Sequence, residues 1–431
     1  MRALLASCSL LFAGFLACSS SQSTPSDAGT PGDDAGADAV DEEPTDAGNG
    51  APSDVYPAFT PQLPQVIDVD GGVVAHAKIV PAYFANDALE QNLNDYIAAF
   101  APSSHWKEMI GEYGAMDAVA EPAVAIADAP PTSIDDAAIK TWLATMLDGS
   151  HPEWPAPDDS TIYVLFYPKT TSITFDGNTS CKQFGGYHTD MALPSQQKVA
   201  YAVIPRCASS IASLGPVVSH ELVEAATDPH PYLDPAYAAL DPRHMAWMAT
   251  QAGGEVGDMC QLDPKANYAP PDMNGLLLQR SWSNTKAAAL HDPCVPPIPN
   301  QVYFAAAPVL PDTVTVTIPA LPMFGMLGGQ TIHVDGVKIP MGQSRVVDLQ
   351  MFSDGPTSGP WLVTATDTLQ SMGLAGQTLA FALDRKNGTN GEVLHLTITA
   401  TGKSILGVSV FEVTSRLGSQ AYSWTGTVDM N

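Results

Sequence analysis

Thr161-Ile162-Tyr163-Val164-Leu165-Phe166-Tyr167 and, further along, Val199-Ala200-Tyr201-Ala202-Val203-Ile204 are unbroken apolar runs. A strand with one wet face shows a polar residue at every second position, so runs without alternation belong to interior strands covered on both faces. Immediately after the second run, Ser209–Thr227 reads as a helix. Asp228-Pro229 ends it, because proline lacks an N–H and pushes its predecessor out of helical geometry. Working outward, the segment from Gln65 to Phe84 reads as a strand, a turn at Gly71-Gly72 and a second strand from Lys78. Asp87 can cap a helix over Ala88–Phe100, where Leu89, Leu93, Tyr96, Ile97 and Phe100 recur at helical spacing. Ser133 and Asp136 resemble a capping box for a second helix, with Ile139, Trp142, Leu143 and Met146 on one face and Gly149 at its end. Strands and helices are interspersed, which makes residues 55–297 an α+β or three-layer domain.

Past the prolines between Pro293 and Pro299 the character changes. Short β-branched runs follow: Thr313–Ile318, Thr331–Ile339, Arg345–Phe352, Trp361–Thr366, Leu379–Leu383, Leu394–Thr399, Leu406–Val413 and Trp424–Val428. Turn residues separate them, including Asp335-Gly336, Asp354-Gly355-Pro356 and Asn387-Gly388. That spacing predicts an all-β sandwich over residues 298–431.

The 431 residues exceed what one core usually organises, in keeping with two folded domains. With 18 Lys+Arg against 46 Asp+Glu and a formal charge of −28, little is left to neutralise phosphates, which argues against nucleic acid as a partner. Met1-Arg2 precedes a short apolar run that ends at Cys18. The run is shorter than the ~20 residues a transmembrane helix needs, so residues 1–18 read as a removed signal peptide. Phe15-Leu16-Ala17-Cys18 resembles a bacterial lipobox, with Cys18 the lipidated first residue of an extracytoplasmic chain that is either membrane-anchored or secreted. Residues 19–54 carry small residues, proline and acids without a base, as expected of a disordered acidic tether. Four cysteines remain, an even number that suits export: Cys181, Cys207, Cys260 and Cys294. Three pairings are possible, and Cys181–Cys207 with Cys260–Cys294 closes the local loops. No CxxC spacing exists for a cysteine-ligated zinc site.

The richest chemistry lies in Val218-Ser219-His220-Glu221-Leu222-Val223-Glu224-Ala225-Ala226-Thr227-Asp228-Pro229. On a helix, His220 and Glu224 stand one turn apart and can reach one cation, while Glu221 beside them can act as general base on a bound water. The pattern resembles the His-Glu-x-x-His helix of zinc peptidases, with Glu224 where the second histidine stands. That likeness implies a zincin-like mixed sheet with helices. A carboxylate can ligate Zn²⁺, and each histidine exchanged for an acid favours harder cations such as Ca²⁺. For the third ligand, Glu255 with Asp258 as its orienting neighbour, His230 ten positions after His220, and His188 in Gly185-Gly186-Tyr187-His188 all compete, with Asp228 a further candidate. His151, His244 and His291 read as ordinary loop residues, and Trp247 and Trp282 as core or pocket-wall aromatics.

Several motifs together carry a wider resemblance. Ser219-His-Glu-Leu-x-Glu-Ala-x-Thr-Asp-Pro229, Phe184-Gly-Gly-Tyr-His188, Tyr201-Ala-Val-Ile-Pro205 with Cys207, Glu255-x-Gly-Asp-x-Cys260 and Gln279-x-Ser-Trp-Ser-Asn284 span Thr161 to Cys294. They resemble the bacterial relatives of EXORDIUM, the plant phosphate-induced protein family. The resemblance implies an extracellular protein, without implying a reaction, and does not reach the C-terminal domain. Two functions follow. One is a zinc-dependent metallopeptidase-like hydrolase acting on a peptide or cell-surface polymer. The other is a noncatalytic binding or adhesion protein with a structural metal or none.

Overall fold

The computed structural model describes residues 50–317, 329–402, 404 and 407–431. The expected signal peptide, Cys18 and the expected tether up to residue 49 lie outside the described residues. Six strands build the first sheet: β1 (His76–Phe84), β2 (Asp117–Ala120), β3 (Val124–Ile126), β4 (Thr161–Tyr167), β5 (Tyr187–Ala192) and β6 (Lys198–Pro205). Their order is β2-β1-β4-β6-β5, with β3 continuing alongside β1. All run parallel except β5, which is antiparallel to β6 at the edge.

The two apolar runs are β4 and β6, side by side and interior. Alternate residues go to opposite faces. Ile162, Val164, Phe166, Ala200 and Ala202 pack under α1 (Glu90–Phe100), α2 (Ser104–Ile110) and α4 (Ile211–Thr227). Tyr163, Leu165, Tyr167, Tyr201 and Val203 pack under α3 (Asp136–Met146) on the other face. The domain is thus mixed α/β in three layers. At ~25 cal/mol per Å² of apolar surface removed from water, this double coverage is the main source of its stability.

Local expectations shift in several places. The strand–turn–strand from Gln65 is no hairpin: Val66–Ile67 pairs with Ala239–Leu240, while β1 pairs with β2, β3 and β4. Asp87 does not cap α1 as its first flanking residue. The helix begins at Glu90 after Leu89, whose N–H donates to Asp87. The cap of α3 is Asp135, which accepts from Ala138 N–H at 2.8 Å, in place of the Ser133/Asp136 box. Cys181–Cys207 and Cys260–Cys294 are the disulfides.

The C-terminal region is a β-sandwich-like pair of sheets. One holds β7 (Phe304–Pro308), β10 (Ser344–Ser353), β13 (Val393–Ala400) and β12 (Leu379–Leu383), in that order. The other runs β8 (Asp312–Thr317), β9 (Thr331–Lys338), β15 (Gln420–Asp429), β14 (Val408–Leu417) and β11 (Trp361–Asp367). Leu349, Met351, Leu394, Leu396 and Ile398 from the first sheet share a core with Trp361, Val363, Phe411 and Val413 from the second. Asp335-Gly336 is strand rather than turn, inside β9. Gly336 is required there because a Cβ would come within 2.6 Å of the Thr427 carbonyl oxygen on β15. Asn387-Gly388 likewise pairs with Trp361-Leu362.

The two regions share one core. Trp247 meets Trp424 edge to face at 5.5 Å, and Arg243 pairs with Asp335 at 2.9 Å. Gly50–Asp54, expected within the tether, is held by the β-domain, since Ser53 N–H donates to Asn390 O and the Asn390 carboxamide donates to Ser53 O and Val55 O.

Candidate metal centre

Helix α4 is buried from Leu214 onward apart from Val217, including His220, Glu221 and Glu224. A helix rich in Leu, Val and Ala buries itself readily, so its polar residues are carried inside with it and must find partners there. His220 Nε2 lies 3.1 Å from Glu224 Oε2, the one-turn pairing expected from the sequence. Asp258, the first residue of α5 (Asp258–Gln261), places Oδ1 3.8 Å from His220 Nε2, and its N–H donates to Glu224 Oε1 at 3.0 Å. Ligand atoms of His220, Glu224 and Asp258 converge within 4.8 Å of one another. The approach depends on Gly257, where a Cβ would sit 2.7 Å from both Glu224 Oε1 and His220 Nδ1.

His188 enters from the sheet. The Gly-Gly-Tyr-His segment is a loop only up to Gly186, and Tyr187 begins β5. Its partner Ala202 on β6 sits on the α4 face, so His188 reaches Glu221 at 3.8 Å and Glu224 at 3.6 Å through Nδ1. Through Nε2 it faces Glu255 Oε1 at 3.8 Å. Glu255 therefore does not join His220 as its third partner. It groups with His188 and Asp228, and Asp258, expected to orient a ligand, takes the place beside His220. His230 lies outside these groups among the described residues, and burial followed by Lys198 pushes its ring down to about 4. Gln279 was visible in the sequence without a role. Its carboxamide spans His220 Nδ1 at 2.7 Å and the Gly257 carbonyl at 3.0 Å, fixing the ring.

The electrostatics are those of a site crowded with acid. Burial works against charge on both imidazoles, yet Glu255, Glu221 and Glu224 hold His188 well above its ordinary range. Against the same burial, Glu224, Glu221 and Asp258 push His220 up to about 10. Burial and then Glu224 raise Asp258 to about 7. Glu255 is raised well above the usual carboxylate range, mainly by burial. Burial also raises Asp228. Glu224 alone is held below that range, because His220 and His188 outweigh its burial. No lysine or arginine forms an ion pair with any member of the cluster among the described residues. Two imidazoles facing five carboxylates leave a deficit of positive charge that a divalent cation fits.

The cluster lines a cavity of about 390 Å³, with Phe184, Tyr232, Met248 and Leu262 among its other walls. Trp247 and Trp282 are buried instead in the core and beside a second cavity between the two regions.

No protein-family model matches the chain, and no curated protein does. Among solved structures it is similar to the S-layer protein SbsC domains 4 and 5, at 11% identity and a TM-score of 0.17 over 28% of this chain and 53% of that one. The chain thus spans about half of that S-layer chain. It is also similar to titin M4, at 15% identity and a TM-score of 0.16 over 22% of this chain and 86% of that one. At TM-scores this low the likenesses bear on neither fold nor function. No helix among the described residues is long and apolar enough to cross a membrane.

Proposed function

We propose that the chain is an extracytoplasmic, zinc-dependent hydrolase of metallopeptidase type, tethered by a lipid on Cys18 and acting on a peptide. The observation that carries this reading is the convergence of His220, Glu224 and Asp258 in a cavity, with Glu221 adjoining on the same helix. A zinc ion bound there would lower the pKa of a coordinated water to ~7 and polarise a substrate carbonyl. His220 would offer Nε2 to the ion, with its proton on Nδ1. Glu221 takes a proton from the water and can return it to the leaving amine. His188, from β5, brings a second imidazole beside Glu224 without joining the His220 set. The apolar walls exclude water and seat a side chain beside the scissile bond. The parallel sheet with its antiparallel edge strand next to α4 supports a zincin-like reading, and the disulfides support an oxidising compartment.

The test is Glu221→Gln, which keeps size and removes the base. Peptide hydrolysis falls ~10²–10⁴-fold while zinc content is unchanged. Undiminished activity would remove Glu221 from the mechanism. A parent protein that neither binds metal nor cleaves a peptide library would favour the noncatalytic binding reading.

A further inference from the structure

We propose that a second divalent cation is bound at the wall of the cavity by His188, Asp228 and Glu255. This rests on the assignment of the first cation to His220, Glu224 and Asp258. The two sets share no residue, and each brings its donor atoms within 4.8 Å of one another. They also come from different parts of the fold: His188 from β5, Asp228 from the end of α4, and Glu255 from the segment before α5.

The independent sign is in an atom that the protein leaves unserved. His188 is 8% exposed, and its Nε2 is buried without a hydrogen-bond partner; the nearest acid, Glu255 Oε1, stands 3.8 Å away. Asp228 is fully buried. Its Oδ1 accepts from Ala236 N–H at 2.8 Å, and its carboxyl is hydrogen-bonded to that of Glu255. A buried polar atom without a partner is costly, so His188 Nε2 calls for compensation. A cation there provides it, and imidazole with two carboxylates suits zinc or manganese(II).

Glu224 stands between the sets: its Oε2 lies 3.1 Å from His220 Nε2 and 3.6 Å from His188 Nδ1, on the ring edge away from the Nε2 that faces Glu255. The other acidic group, Asp263 with Asp292 near Cys294, carries no such deficit. Arg280 pairs with both acids and Cys294 is in a disulfide.

Zinc titration of the chelator-stripped mature chain, with bound metal measured after desalting, decides the matter. Two equivalents are expected in the parent, one in Asp228→Asn/Glu255→Gln, and one in His220→Ala/Asp258→Asn. A single equivalent, lost only in the His220/Asp258 variant, would overturn the second site and leave the first. Two equivalents persisting in the Asp228/Glu255 variant would also overturn it. No zinc in the parent would sink both assignments.

Discussion

Helices α3 and α4 lie on opposite faces of one sheet, and both bring acids into the interior. Around α3 the account closes. Asp136 accepts from Tyr187 Oη at 2.9 Å and Tyr201 Oη at 2.6 Å, and Lys140 one turn on pairs with it at 3.1 Å. Around α4 the acids face one another and two imidazoles, and the buried Nε2 of His188 goes without a hydrogen bond. The same sheet thus supports an acid that the protein satisfies by itself and a cluster that it does not. A buried polar group with protein partners is structure, whereas one without them points to a ligand.

The widest test of that contrast is pH. In the chelated chain, His220 is raised to about 10 from 6.5. The stability it contributes is complete below 6.5 and is lost as pH climbs through 10. Asp258, raised to about 7 from 3.8, acts in the same direction. Its contribution is complete below 3.8 and is lost as pH climbs through 7. Metal-free protein should therefore melt at steadily lower temperature from about pH 6.5 to about pH 10, and zinc should flatten the curve by replacing protons with a cation. A melting temperature in chelator that is level or rises across this window would break the contrast.

Next in size is the scaffold beneath the site. Leu222 is fully buried in the core that α4 helps to form, and Leu222→Ala should cost ~2–5 kcal/mol in denaturant unfolding. An effect below ~1 kcal/mol would mean that α4 is not anchored by this packing. The positioning role of Gln279 comes third. Gln279→Ala should weaken zinc affinity ~10–100-fold with little change in melting of the metal-free chain. Unchanged affinity would free His220 from that support.

The sequence reading captured what depends on local pattern. Unbroken apolar runs revealed β4 and β6, a helical repeat revealed α1 and α3, and the His220–Glu224 spacing revealed one half of the site. It failed where partners are distant in the chain. That His188 would face α4 depends on the register of β5 against β6, which no period within the sequence encodes. Glu255 and Asp258 are three residues apart, so their roles could not be told apart until Gly257 let the segment approach His220. Asp335-Gly336 carried a turn signature, yet the glycine serves a close strand contact with β15.

The smallest expected effect tests the other half of the comparison. Asp135 caps α3 by accepting from Ala138 N–H. Removing a cap of this kind costs ~1 kcal/mol. Asp135→Ala should lower unfolding free energy by about that amount and leave zinc stoichiometry and peptide hydrolysis as in the parent, since α3 packs against the face of the sheet that α4 does not touch. If instead zinc affinity fell along with stability, the sheet would be transmitting strain from one layer to the other. The division between a self-sufficient α3 and a ligand-dependent α4 would then have to be drawn at the level of the whole domain.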